Sequence, residues 1–328
     1  MLLAEKYKLQ IVQENYDRLT LESSSGMRVG FFKSGEKFGC ISQIHMDGKM
    51  LVCSGPSPKF QRAPIDNDYG GEVFSYVNRW KNAEIESFIL VRNTDSSGMQ
   101  YSFDSNGVFN ISFQCRIVRK GDKPNTKMNM MMEYHVKPSG TIFLDVYIQK
   151  VASLPPLARV GLSMECSNRL QEVEWFGRGK HECYSDRKAS AFVDRYRSTV
   201  NELHVPYIFP SENGGRADVR WLTVRPIRDK THGIFVSAKS PSYFQMSISN
   251  YTLEDLTRAK HQDELTESKC VEVHLDHAHM GVGGDDSWSP SVHKDALIDD
   301  SGWKFGLVLT PIHSQSDASN LYYSVDTS

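Results

Sequence analysis

Alternation of apolar and polar residues recurs along almost the whole chain, and it narrows the fold more than any other feature. The runs LQIVQ (9–13), FNISFQCRIV (109–118), TIFLDVYIQ (141–149), ADVRWLTVR (217–225) and CVEVHLD (270–276) each turn every second side chain to one face. A period of two belongs to a half-buried strand and not to a helix. In MEYHVKPSGTIFLDVYI (132–148), Pro138, Ser139 and Gly140 stand between two such runs, which predicts a hairpin. One segment departs from the pattern. Thr252 is placed to cap LEDLTRAKH (253–261), Asp255 to complete a capping box, and Leu253, Leu256 and Ala259 recur at helical spacing.

Strand patterns continue from the first residues to WKFGLVLTPI (303–312), with no internal repeat and no long polar linker. The expectation is a single all-β, antiparallel domain over 1–312 with one or two short helices. At 328 residues, 39% of them hydrophobic, the chain can bury a core of that size. HSQSDASNLYYSVDTS (313–328) is polar and aperiodic and is expected to be a flexible tail.

Charge removes several classes of partner. The 38 basic and 40 acidic residues are spread along the chain, so no basic stripe is offered to nucleic acid or to an anionic membrane. At the N-terminus only three apolar residues precede Glu5 and Lys6, too few for a secretory signal, and no later run has transmembrane length. A soluble cytoplasmic protein is expected. Cys40, Cys53, Cys115, Cys166, Cys183 and Cys270 are scattered without a C-x-x-C pair, which reads as free thiols.

The richest stretch is HMGVGGDDSWSP (279–290). Its glycines suggest a phosphate cradle, but DDSWSP follows where a dinucleotide site needs a helix N-terminus. Asp285 and Asp286 can instead accept amide hydrogen bonds and stiffen a turn. Trp288 has two readings, a core residue or an exposed indole suited to the C–H face of a pyranose. Glycosidases need two carboxylates at a set separation. The candidates Asp66 with Asp68, Glu182 with Asp186, Glu212, and Asp285 with Asp286 lack a catalytic context and read as structural. In HLDHAHM (274–280), alternation puts His277 and His279 on one face and His274 on the other; an H-x-H pair can bind zinc, but no second cluster supplies the remaining ligands, which favours hydrogen-bonded histidines. No nucleophile elbow or Cys/His signature is present.

Five longer motifs add a resemblance. QRAPIDNDYGG (61–71), WFGRGKHECYSDR (175–187), VPYIFPSENGGRADVRWL (205–222), YTLEDLTRAKH (251–261) and HMGVGGDDSWSPSVH (279–293), in that order, resemble the C-terminal domain of family-two β-galactosidases. The resemblance implies a large β-supersandwich related to galactose mutarotase folds. It implies a partner, a large β-galactosidase subunit or barrel-bearing chain, that carries the catalytic glutamates and uses Mg and Na, while this chain binds no cofactor. The assembly would be an oligomer that hydrolyses terminal β-D-galactosides, with the isolated chain inactive. Trp288 matches the tryptophan that forms the family's galactose-stacking platform, and Gly283, Gly284, Asp285 and Asp286 match its supporting loop. Where the family usually has Pro and Asn, this chain carries Lys180 and Cys183, which alters a local hydrogen-bond network.

Two other functions stay open at this level. A free-standing aldose mutarotase or epimerase would need a histidine acid and a carboxylate base in one cleft. A galactoside-binding module would need neither.

Overall fold

The structure, a computed structural model, describes residues 7–94, 98–121, 125–239, 242–313 and 317–326. Residues 1–6, on which the leader expectation rests, and 314–316 and 327–328 of the expected tail lie outside the described residues. The first strands are β1 (Leu9–Glu14), β2 (Arg18–Ser23), β3 (Met27–Phe32), β4 (Ile41–Met46) and β5 (Lys49–Lys59). Helices α1 (Asp66–Tyr69) and α2 (Tyr76–Asn82) follow, then β6 (Phe88–Arg92), β7 (Met99–Phe103), β8 (Phe109–Arg119), β9 (Thr126–Val136) and β10 (Ile142–Lys150). Next come β11 (Arg159–Ser167), β12 (Glu172–Gly179), β13 (Phe192–Thr199), α3 (Val200–Leu203), β14 (Arg216–Val219) and β15 (Trp221–Arg225). The last elements are β16 (Gly233–Ala238), β17 (Phe244–Ser249), α4 (Leu253–Arg258), β18 (Cys270–His279), β19 (Gly302–Ile312) and α5 (Ala318–Asp326).

These strands build two sheets. One runs β1-β2-β3-β4-β5-β11-β18-β17-β14, the other β13-β12-β15-β16-β19-β10-β9-β8-β6, with β7 also on β8. Every pairing is antiparallel. The all-β antiparallel class read from the sequence is the class of the structure. Its helices are more numerous than the one or two expected, with five short α-helices among the described residues. None is long and apolar enough to cross a membrane.

The alternation does its work most clearly in β8, β9 and β10. Phe109, Ile111, Phe113, Met130, Met132, Tyr134, Leu144 and Val146 all face the core, while the residues between them face outward. Gly140 takes up the positive φ of 99° that the β9–β10 hairpin requires. Thr252 caps α4 as expected, its hydroxyl accepting the N–H of Asp255 at 3.0 Å. The box is half made. The Asp255 carboxylate takes the Thr252 hydroxyl at 2.8 Å instead of a backbone amide.

Two expectations need correction. The run 217–225 is two strands in different sheets, β14 and β15. Asp218 sits at φ 51°, with its carboxylate held by Arg178 and Lys188, and the chain crosses from one sheet to the other just beyond it. The expected aperiodic tail contains α5. Ala318, Leu321 and Tyr322 recur at helical spacing and seat on Trp221, Phe235 and Ile312, while Asp317 accepts the N–H of Ser319 at 2.8 Å and pairs with Arg195 at 2.9 Å.

Candidate functional site

Strand β18 ends at His279, and the chain then loops through Met280 to Pro290 before returning to β19. Trp288, near the tip, is 77% exposed, so the core reading of this tryptophan is excluded. The loop holds its shape by local bonds. The Asp286 carboxylate accepts the N–H of Trp288 at 3.0 Å and of Ser289 at 2.7 Å, and the Ser289 hydroxyl at 2.8 Å. Ser291 closes the ring, accepting the Asp286 N–H at 3.2 Å and donating to its carbonyl at 2.8 Å. Bonds from the Ser289 hydroxyl, then from the Ser289 and Trp288 amides, hold the Asp286 carboxyl below the ordinary carboxylate range. This is the turn-stiffening role expected of it.

The other loop residues fall in different places. A Cβ on Gly284 would stand 2.5 Å from the Ser291 hydroxyl, so the close approach of the two loop arms needs glycine there. Asp285 turns outward to His293, 2.8 Å away, and that contact raises the histidine's pKa. Gly283 contributes its backbone N–H at the base of the loop.

The base is fixed by residues that reach it from far along the chain. Arg62 and Asp68 are both fully buried, the guanidinium donating to the carboxylate at 3.0 and 2.6 Å. The same guanidinium donates to the carbonyls of Met280 at 2.8 Å and Gly281 at 3.1 Å. Asn67 donates to the carbonyl of Val282 at 2.9 Å. Gly71 has φ 92°, and a Cβ there would lie 2.6 Å from Pro290. The sequence marked Asp66 and Asp68 as structural but did not single out Arg62 and Asn67 as loop anchors. The available signal was an arginine and an aspartate six residues apart in one motif.

A cleft of about 500 Å³ opens beside the loop, lined by Asn67, Glu182, Tyr184, Phe209, Glu212 and Val282 among others. Large apolar side chains stand exposed on its rim and on the segment under the loop: Ile208 is 91% exposed, and Val73 and Phe74 are each 69% exposed.

The carboxylates considered for catalysis are mostly engaged. Asp68 belongs to the Arg62 pair, and Glu182 accepts from Arg187, the Tyr207 hydroxyl and the Gly214 N–H. Glu212 binds Arg159 at 2.7 Å, both side chains being buried. Asp285 and Asp286 turn to different partners, as above.

The histidines of β18 are arranged differently from the alternation. A bulge against β11, between the pairs Val160↔Ala278 and Gly161↔Asp276, breaks the period of two. His277 stacks on Phe305, with ring centroids 5.0 Å apart, while His274 and His279 are both buried within the field of Arg159. Burial, then Arg159, lowers the pKa of each. His279 lies 3.8 Å from Glu212 and also contacts the carbonyl of Met280 through Nδ1 at 2.8 Å. With Glu212 bound to Arg159 and His279 buried on its own strand end, this histidine and carboxylate form an internal brace. Cys183, one of the two departures from the family pattern, is buried against Ala191 and Ala217, and its sulfur accepts the N–H of Ala217 at 3.2 Å.

Residues 26–309 match the family model described as Beta galactosidase small chain. A Beta-galactosidase of Pseudoalteromonas haloplanktis is 34% identical over 91% of this chain and 27% of its own length. One of Psychromonas ingrahamii is 31% identical over 94% of this chain and 29% of its own length. The chain thus spans little more than a quarter of the length of these curated relatives. Among solved structures, a galactose 1-epimerase from Lactobacillus acidophilus aligns over 94% of this chain and 99% of its own, with 8% identity and a TM-score of 0.43.

Proposed function

The chain belongs to the β-galactosidase small-chain family, and from that premise we propose that it is the C-terminal module or small subunit of a β-galactosidase. In this reading it completes the galactose site of a partner that carries the catalytic barrel. The observation that carries the reading is Trp288, a large aromatic side chain 77% exposed on a loop anchored at its base by the buried Arg62–Asp68 pair. Holding an indole in water on a stiff support gives the isolated chain little stability. It is suited to stacking on the C–H face of a sugar that a partner delivers.

The roles then divide by chemistry. Trp288 binds and orients galactose, Asp286 and Ser291 fix the loop that aims it, and the exposed Phe74 and Ile208 contact the partner beside it. The two glutamates that break the glycosidic bond, and the Mg and Na of the assembled enzyme, belong to the barrel. The chain acts in the cytoplasm, where its free thiols stay reduced, within an oligomeric enzyme. The pairing of Glu212 with Arg159 and the burial of His279 weigh against a free-standing epimerase, which needs such a pair free to act on its substrate.

The test is reconstitution. This chain is mixed with the remaining, barrel-bearing part of the Pseudoalteromonas relative, and hydrolysis of a chromogenic β-galactoside is measured for each part and for the mixture. Activity in the mixture alone is expected. Hydrolysis by the purified chain, lost on substituting one of its own carboxylates, would overturn the proposal.

A further inference from the structure

Asp186 is 96 residues before Val282 and 97 before Gly283, yet both of its carboxylate oxygens serve them. Oδ1 accepts the N–H of Val282 at 3.1 Å and Oδ2 the N–H of Gly283 at 2.7 Å. The fit is close, since a Cβ on Gly281 would stand 2.5 Å from Oδ2. The neighbouring residues bind the same stretch of chain. Ser185 donates its hydroxyl to the carbonyl of His279 at 2.9 Å, and Tyr184 and Arg187 close a turn whose other side lines the cleft.

We propose that Asp186 is a positioning residue for Trp288, the clamp that fixes the angle at which the indole meets a galactoside. The proposal rests on the reading of Trp288 given above. Arg62 holds the loop at Met280 and Gly281, and Asp286 with Ser291 holds the tip as a closed ring. The segment from Val282 to Asp285 joins these two fixed parts, and Asp186 restrains it at the Val282 and Gly283 amides, beside the bond of Asn67 to the Val282 carbonyl. A carboxylate suits the task because two adjacent N–H groups converge on it, and an anion accepts both. An asparagine of the same shape offers one oxygen and one NH2, so one of the two amides would face another donor. Asp186 is itself exposed and its hydrogen bonds both go to the loop, so its replacement leaves the two-sheet core untouched.

The experiment uses Asp186→Asn, Asp186→Glu, Trp288→Ala and the double variant Asp186→Asn with Trp288→Ala. In the chain alone, Asp186→Asn is expected to speed amide exchange at Val282 and Gly283 while the strands exchange as before, and to add fast motion at the Trp288 indole N–H seen by NMR relaxation. Unchanged exchange and unchanged indole motion overturn the clamp. In the reconstituted enzyme, Asp186→Asn is expected to raise the galactoside KM several-fold with a smaller change in kcat. Asp186→Glu, which keeps both acceptors, should recover part of the loss. The decisive comparison is the double variant, which should match Trp288→Ala alone if Asp186 acts through the indole. If Asp186→Asn multiplies KM by the same factor with or without the tryptophan, the proposal fails. If Trp288→Ala leaves KM unchanged, the stacking role itself is wrong, and the exchange and relaxation data still decide whether the clamp exists.

Discussion

Arg62 and Asp68 form an ion pair with no solvent exposure on either side chain, and the arginine's remaining N–H groups hold the carbonyls of Met280 and Gly281. The pair thus joins a short helix near the N-terminus to the base of a loop more than two hundred residues later. Its value lies less in charge attraction, which burial largely cancels, than in fixing one geometry for four polar groups.

Breaking this pair should be costly. Arg62→Ala leaves the buried Asp68 carboxylate without its charge partner and removes the donor to the Gly281 carbonyl, and a loss of about 3–5 kcal/mol of stability is expected. Urea unfolding of the variant measures it. A loss below about 1 kcal/mol would mean that water or another side chain takes over the role.

Trp288→Ala should behave in the opposite way. An indole already in solvent contributes little to the fold, so the isolated chain should lose less than about 1 kcal/mol. In the reconstituted enzyme, losing the aromatic face should weaken galactoside binding by about 1 kcal/mol, with Trp288→Phe intermediate. Melting temperature and affinity on the same preparations separate binding from stability.

The pH dependence of stability should carry the mark of Asp276. Burial pushes its carboxyl up to about 7 against an ordinary 3.8, with Arg159 opposing the rise. A raised carboxyl binds its proton more tightly in the folded chain. Its stabilising contribution is therefore complete below 3.8 and is lost as pH rises toward 7. The buried His274 and His279, with lowered values, act with the opposite sign below their ordinary 6.5. Comparing wild type with Asp276→Asn isolates the carboxyl. The difference in unfolding free energy should change steadily between pH 4 and 7, and a constant difference would show that the carboxyl does not titrate there.

Helix α5 should be part of the fold. Removing residues 313–328 uncovers Trp221 and Phe235 and deletes the pairing of Asp317 with Arg195, so a loss of about 1–2 kcal/mol is expected from the apolar area alone. Thermal unfolding of the truncated chain measures the loss. The remainder should still unfold in a single transition, because each sheet pairs strands far apart in the chain, β5 with β11 and β11 with β18 in one and β10 with β19 in the other. Two separate transitions would divide the proposed single domain.

What the sequence determined by itself is what neighbouring residues decide. The inward and outward faces of β8, β9 and β10, the turn at Gly140 and the Thr252 cap each depend on residues a few positions apart, so composition and spacing were sufficient to read them. The motif around Trp288 was likewise legible, along with the aspartate that stiffens its turn. The tertiary structure alone decided the rest. It split 217–225 between two sheets, turned His277 away from His279 through a bulge, and gave Ala318, Leu321 and Tyr322 a surface on which to form a helix. It also brought Arg62, Asn67 and Asp186 to the base of one loop. Each of these outcomes depends on a partner far away in sequence. A hydrogen bond is specified by distance and angle between groups whose separation along the chain carries no signal, so neither periodicity nor residue type could place them.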